Sequence, residues 1–473
     1  MPALQVKGLG WKVPPIEEKH FTVNAFHRVI SHMGQSVDFA WIDVCCIDQE
    51  DSATKMYEIG RQAGIFKQAT HAYGWLNFHT HRNLQGLFDI IFDLDNIMSG
   101  WELWKPSNTR DQSCVPKLRH ILSTLESLME DPWFTSLWTL QEAVLRRDAM
   151  ILSTDGWPLT LQFDRTHKIR LEMFCNTCWN ILVNIDDYAD EWPSEARPLT
   201  SQIHQVIRTS GLFFTMTNNP NVQYGMAYHR VTKRPLDRVY AIIQIYGFRL
   251  GESLQPGVAV TLGDLELQLA QQLTFRSSML SQWFVHTARP PEHRSWMISQ
   301  RSHVPFELIL YPTYSDNMIT RMFGTIEPTP RRTATFSGFA RPLYQLDDMC
   351  RKELKRFRAL YFALDAWSTR PLETIQEPRK LDSDHHHIPQ GSFRKMFERE
   401  VTFRPGAQLQ AFLLGDSNST SIPYDYHRAY AVILVRESAT TAWRRIGLVW
   451  WETVHCEPKP TYHEFVSFGA EVH

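Results

Sequence analysis

A chain of 473 residues exceeds what one ordinary hydrophobic core accommodates, so two or three domains are expected. Hydrophobic residues at 43%, charged residues at 21% and aromatics at 12% exclude a disordered chain. A formal net charge of −2 offers no electrostatic basis for nucleic-acid or anionic-membrane partners.

No uninterrupted apolar run approaches the ~20 residues that span a bilayer. The opening residues Met1 to Gly8 lack the apolar core of a signal peptide. Seven scattered cysteines do not look like a disulfide framework, and a cytoplasmic location is expected.

In chain order, Phe39 to Val44 is a short apolar run expected to form a buried strand, with Cys45, Cys46 and Asp48 in the loop beyond it. Residues 53–68 place Met56, Ile59, Ala63 and Phe66 on one helical face. Ala72 to Leu76 reads as a second strand, 84–98 as a helix and 106–114 as a loop. Leu118, Ile121, Leu122, Leu125 and Leu128 mark another amphipathic helix. Asp131 then serves as N-cap and Pro132 as first-turn residue of the next one. Ala149 to Leu152 reads as a strand ended by an Asp155-Gly156 turn. Strands and helices alternating at these lengths predict βαβ units and a parallel sheet.

Residues 158–287 read as a mainly helical extension, with helices over 202–216 and 236–249. Residues 288–340, rich in Pro, Arg, Ser and Thr, read as a loop or linker. Residues 341–473 form an α+β region with a charged helical patch at Lys352 to Phe357. There Tyr430 to Val435 and Arg445 to Trp451 are spaced as a hairpin or small sheet.

Two blocks carry the functional signal. The first is Trp41-Ile42-Asp43, then Cys46-Ile47-Asp48-Gln49, followed by Phe66, Ala69 and Trp75-Leu76. The second is Trp133-Phe134, Trp138 and Gln141-Glu142. In this order and spacing they resemble the middle and final blocks of the fungal heterokaryon-incompatibility (HET) domain. The stretch Asp237-Arg238-Val239-Tyr240 resembles a segment found downstream of many such domains. The usual first block, Leu-Ser-(Tyr/His)-x-Trp-Gly on the first strand, has no counterpart here. The resemblance implies a Toll/interleukin-1-receptor (TIR)-like parallel sheet flanked by helices over residues 1–157, lacking its first strand.

It also implies non-self recognition and programmed cell death signalling, with self-association or other incompatibility proteins as partners. TIR domains that cleave NAD+ use one glutamate in a Trp-Cys-x-x-Glu context, and Trp138 and Glu142 have that spacing. No cofactor is required in this reading, and NAD+ is the substrate. Nicotinamide leaves its cationic ring as a neutral molecule, so one carboxylate suffices to stabilise the oxocarbenium-like transition state or orient ribose hydroxyls. On one continuous helix Trp133, Leu137, Leu140 and Val144 form an apolar stripe. At ~100° per residue Glu142 then points away from it, with Trp138 ~40° from Glu142 as a wall of a nucleotide pocket. Taken by position alone, Glu142 belongs to a solvated face with Arg146 as its i+4 ion-pair partner.

Asp43 and Asp48 fall where ligands bind in open parallel sheets, beyond the strand ends, and fit ribose-hydroxyl acceptors; equally, Asp48 and Gln49 fit as caps. Cys45 and Cys46 read as packed apolar residues. Cys175-Asn-Thr-Cys178 is a lone CxxC, and His385-His386-His387 lies in a polar loop, so no metal site is assigned. Two functions of different class follow: a TIR-like NAD+ glycohydrolase, or a non-catalytic signalling protein, of which a truncated inactive paralogue is one form.

Overall fold

The computed structural model describes residues 13, 21–35, 37–48, 52–99, 114–187, 192–212, 215, 217, 219–248, 250–251, 259–305, 308, 318–346, 348, 357–366, 379–382, 392–400, 406–419, 426–454 and 465–473. The expected loop over 106–113, most of the patch from Lys352, the histidine triplet 385–387 and Gln49 lie outside these residues. The chain forms two compact units, one of residues 1–216 with 229–237, the other of 217–228 with 238–473. The first unit therefore runs well past residue 157 and takes in a short segment from beyond the start of the second.

In the first unit, α1 (Val23–Met33) is opened by Thr22, whose hydroxyl accepts from the Ala25 amide at 3.2 Å. A single turn, α2 (Asp43–Cys46), and the long α3 (Ser52–Gln68) follow. The expected strand at Phe39 to Val44 does not form. Ile42 is extended, but the chain coils at Asp43, whose carboxylate accepts from the Val44 amide at 2.6 Å. The apolar run instead packs Ile42, Val44 and Cys45 around Phe26 of α1, while Phe39 is 93% exposed. Packing on a neighbouring helix thus replaces sheet pairing.

Strand β1 (Tyr73–Trp75) pairs in parallel with β2 (Met150–Leu152), with Gly74 opposite Ile151. Between them run α4 (His81–Ser99), α5 (Cys114–Met129), α6 (Pro132–Thr135) and α7 (Leu137–Leu145). After β2 come α8 (Leu171–Asp187) and α9 (Arg197–Ser210). Helix α4 packs on α5 and α8, and α5 on α9. Leu84, Phe88, Leu125, Leu128, Phe134 and Phe174 are fully buried in this unit. Each such side chain contributes about 1.5–3 kcal/mol relative to exposure. The result is a small parallel sheet flanked by helices. Gly156 closes the turn after β2 at φ 79°, a conformation that glycine adopts without penalty, with Val29 of α1 against it.

The second unit contains α10 (Pro220–Ala227), most of α11 (Asp237–Ile243) and α12 (Leu262–Arg276), the last opened by a Thr261–Asp264 capping box. Two short strands, β3 (Val285–His286) and β4 (Ser302–His303), pair with each other. Next come β5 (Met318–Met322), β6 (Thr325–Pro328), β7 (Ala334–Pro342), β8 (Phe357–Leu364) and β9 (Arg379–Asp382). The chain ends with α13 (Ser392–Glu400), β10 (Gln408–Ser419), β11 (Tyr426–Arg436), β12 (Arg444–Val454) and β13 (Val466–Val472).

Their main sheet runs β13-β7-β10-β11-β12-β8-β9, with β5 on β10 and β6 on β7. The expected terminal β-runs are neighbours in it, Tyr430 facing Trp450. Residues 288–340 are not simply linker, because β5, β6 and most of β7 come from them. Phe336 and Ala340 of β7 are buried while Ser337 and Phe339 remain outside, so the polar composition reflects a one-sided sheet face. Phe393 and Phe397 of α13 close one face over Ala431, Ile433 and Val449. Among the described residues no helix is long and apolar enough to cross a membrane.

Candidate functional site

The second sequence block is not one helix. Asp131 opens it by accepting two amides, from Trp133 at 2.9 Å and from Phe78 at 2.9 Å, which ties the start of α6 to the loop after β1. The chain then straightens at Ser136 (φ −70°, ψ 137°) before α7 begins. This break is held from outside: the Val231 amide donates to the Thr135 carbonyl at 2.7 Å, and the Leu137 amide to the Val231 carbonyl at 3.1 Å.

Arg230 completes the fastening. Its Nη1 donates to the carbonyls of Ser136 (2.9 Å) and Trp133 (3.3 Å) and to Thr139 Oγ1 (3.0 Å), and its Nη2 to the Ser210 carbonyl (2.6 Å). The side chain is almost wholly buried, and burial pulls its guanidinium down to about 10, against the opposing effects of Cys175 and Glu142.

Because of the break, Trp133 leaves the apolar stripe expected for it. It lies against β1, where a Cβ on Gly74 would stand 3.8 Å from its Cζ2, and its indole favours the ionised form of Glu142. Trp133 and Glu142 line one cleft of about 830 Å³, together with Trp41, Phe66, Tyr73 and His71. Trp41 and Phe66 meet edge to face at 5.6 Å.

Glu142 is half-buried rather than solvated. Desolvation first, then the charge of Asp43, push its carboxyl up to about 8, while the Trp133 indole and Arg230 work the other way. The Asp43 carboxyl is also raised by desolvation, although the residue is exposed and does not line the cleft. The structure thus brings Asp43 and Glu142 within electrostatic reach of each other. Asp48 and Trp138 are half-buried and do not line this cleft. The aromatic beside the glutamate is Trp133, nine residues upstream, not Trp138 four residues upstream.

Arg146 does not serve Glu142 as the expected i+4 partner. Its Nε and Nη2 grip Asp148 at 2.8 Å each, and its Nη1 donates to the carbonyls of Phe66 (3.0 Å) and Ala69 (2.7 Å) at the end of α3. Helix α3 exposes those carbonyls there, so the cation caps them and complements the helix dipole. The Phe66 and Ala69 positions of the first block therefore read into the second block through Arg146.

The cysteines are packed. Burial first, then Cys46 and Asp43, push the Cys45 thiol up to about 11, away from thiolate chemistry. Cys175 and Cys178 are fully buried on α8, and Thr215 Oγ1 donates to Cys175 Sγ at 3.4 Å. Among the described residues no three His, Cys, Asp or Glu side chains converge as a metal site.

Residues 14–142 match the family model described as Heterokaryon incompatibility protein (HET), a match that ends on Glu142. No curated protein matches the chain, and no solved structure does. Sequence reasoning missed Arg230 and misplaced Trp133. No local pattern marks a buried arginine that serves carbonyls 94 and 97 residues upstream. The break at Ser136 left one legible trace, a serine directly after the capped Asp131–Thr135 turn.

Proposed function

We propose that this protein acts in fungal heterokaryon incompatibility, with residues 14–142 as a TIR-like signalling region that cleaves NAD+ at Glu142. The observation that carries this reading is the Glu142 carboxylate in the wall of an aromatic-lined cleft, with Trp133 beside it and Asp43 in reach. The family match and the parallel strand pair flanked by helices support it.

In the proposed reaction the bond between the ribose C1′ and the pyridinium nitrogen breaks, and its electron pair neutralises the leaving nicotinamide. Water bonds to C1′ and releases one proton, giving ADP-ribose. The ionised Glu142 stabilises positive charge on the ribose, and Trp133 orients the carboxylate. Chemistry at Glu142 requires the ionised form, so activity rises as pH climbs through about 8.

A non-catalytic role in assembly with copies of itself or other incompatibility proteins is the second reading. It is favoured by the raised Glu142 pKa, which leaves the group mostly neutral at pH 7. Nicotinamide release from NAD+ by the purified chain, alone and artificially clustered, compared with Glu142→Gln, separates the two. Release lost in the variant supports the enzyme; no release from the clustered wild type, or equal release from both, supports assembly alone.

A further inference from the structure

We propose that residues 229–237 form a strap that switches the segment 132–145 between a broken and a continuous helix, and that the second unit controls the switch through the strap's two ends. The switch regulates the site named in the proposed function and rests on that reading for its use, but it operates with or without chemistry at Glu142.

The break is not self-supporting. Ser136 occupies the N-cap of α7 in an extended conformation, yet its side chain makes no capping hydrogen bond. A continuous helix would pair the Leu137 amide with the Trp133 carbonyl, four residues back. The strap engages both groups instead: the Val231 carbonyl accepts the Leu137 amide at 3.1 Å, and Arg230 Nη1 donates to the Trp133 carbonyl at 3.3 Å. Arg230 Nη1 also donates to the Thr139 hydroxyl at 3.0 Å, and that hydroxyl donates to the Ser136 carbonyl at 2.8 Å.

The sequence supports the other state as well. Trp133, Leu137, Leu140 and Val144 recur at the spacing of one unbroken apolar stripe. Release of the strap returns Leu137 and Trp133 to each other as helical partners. Trp133 then rejoins the stripe and leaves Glu142. The segment is therefore a two-state element, with the strap deciding between the states.

The ends of the strap lie in the second unit: residues 217–228 and 238 onwards belong there, whereas 229–237 belong to the first. Arg238 Nη1 closes the base by donating to the Ala227 carbonyl at 2.6 Å. The upstream end is α10, buried at every residue. There Asn221 Nδ2 donates to the Leu280 carbonyl at 2.6 Å and the Tyr224 hydroxyl to Glu266 at 2.8 Å, while a Cβ on Gly225 would stand 3.2 Å from the His303 Cα. Between base and tip, Thr232 Oγ1 donates to Asp237 at 3.2 Å and the Asp237 amide to the Arg234 carbonyl at 3.1 Å. A loop braced in this way passes a shift of its base on to Arg230 and Val231, where a slack linker would absorb it.

Fluorine NMR of the full chain carrying 5-fluorotryptophan tests the proposal, with the Trp133 signal identified by its loss in Trp133→Phe. The wild type is expected to show one Trp133 resonance. Arg238→Ala, which opens the base of the strap, should add a second resonance holding about a tenth or more of the Trp133 intensity. Gly225→Ala, which presses α10 against His303, is a second base variant and should act in the same direction. Val231→Pro deletes the amide that fastens Thr135, and Ser136→Ala favours helix at the break; both should populate the same second resonance. A second resonance in the Val231 and Ser136 variants but in neither base variant overturns control by the second unit. A single, unshifted Trp133 resonance in all four overturns the switch. A shared second resonance without nicotinamide release from NAD+ by the wild type would remove the enzymatic reading and leave the switch standing. Release combined with a single resonance throughout would do the reverse.

Discussion

Arg230 Nη1 donates to the Ser136 carbonyl at 2.9 Å, and Ser136 is the residue at which the chain breaks so that Trp133 and Glu142 can face one cleft. Of the two short segments that meet there, one contributes the cation and the other the geometry of the site. Three of the oxygens that Arg230 serves are backbone carbonyls, which have no side-chain substitution of their own to compensate its loss.

Arg230→Leu is expected to destabilise the first unit by roughly 3 kcal/mol or more, since each buried group left unpaired costs about 1–3 kcal/mol. Hydrogen exchange of the 132–145 amides reports the loss locally. Those amides should exchange faster in the variant, with less change in Arg230→Lys, which keeps the charge but not the fork. Unchanged protection in the leucine variant would show that the Val231 pairing alone holds the break.

Arg146→Lys keeps the charge and loses the bidentate grip on Asp148 as well as one of the two α3 carbonyls. A loss of about 1–2 kcal/mol is expected, with faster exchange confined to the last turn of α3. The hydrogen-bonded arginine holds the Asp148 carboxyl below its ordinary range. The Asp148 part of the stabilisation is therefore present above the ordinary carboxylate pKa and is lost as pH falls through the lowered one.

Glu142 has the opposite sign. Its folded-state pKa stands near 8, above the ordinary 4.5, so the folded chain holds a proton that the unfolded chain releases. Stability from this group is full below pH 4.5 and declines as pH rises to about 8. Glu142→Gln should flatten that decline, raising the melting temperature at pH 8 relative to wild type while matching it near pH 4. A steeper decline in the glutamine variant would contradict the assignment.

In the second unit Arg445 and Asp365 are both fully buried and paired at 3.0 Å, and Asp365 also accepts the His286 amide at 2.8 Å. Arg445→Ala strands a buried carboxylate, and a loss of about 3–5 kcal/mol is expected. Denaturation followed by the fluorescence of Trp283, Trp450 and Trp451 measures it; a loss under 1 kcal/mol would show that solvent reaches the pair.

Much of the first unit was legible in the sequence. The periodicity of Met56, Ile59, Ala63 and Phe66 marked α3, and the Asp131-Pro132 pair marked the start of α6, because helix periods and caps are local properties. The hairpin of β11 and β12 announced itself through its β-branched and aromatic runs.

What failed depended on partners distant in sequence. Phe39 to Val44 has strand composition, but Ile42 and Cys45 found a helix face rather than a sheet. A polar stretch hid β5 to β7, since one face of those strands is not in the core. At the candidate site Glu142 lines the cleft and Asp43 acts on it electrostatically, whereas Trp138 and Asp48 do not line it. The choice of Trp138 over Trp133 followed from treating 132–145 as one straight helix, and the break that decides the matter is fixed by Arg230 and Val231.

The central claim is that Glu142 performs chemistry in this cleft. Release of nicotinamide from NAD+ by the purified chain at pH 8–9, with and without artificial clustering, tests it most directly. The account predicts release by the wild type that falls at least a hundredfold in Glu142→Gln, while the variant still folds and melts at or above the wild-type temperature. Release that persists in Glu142→Gln, or none from the clustered wild type, would contradict it.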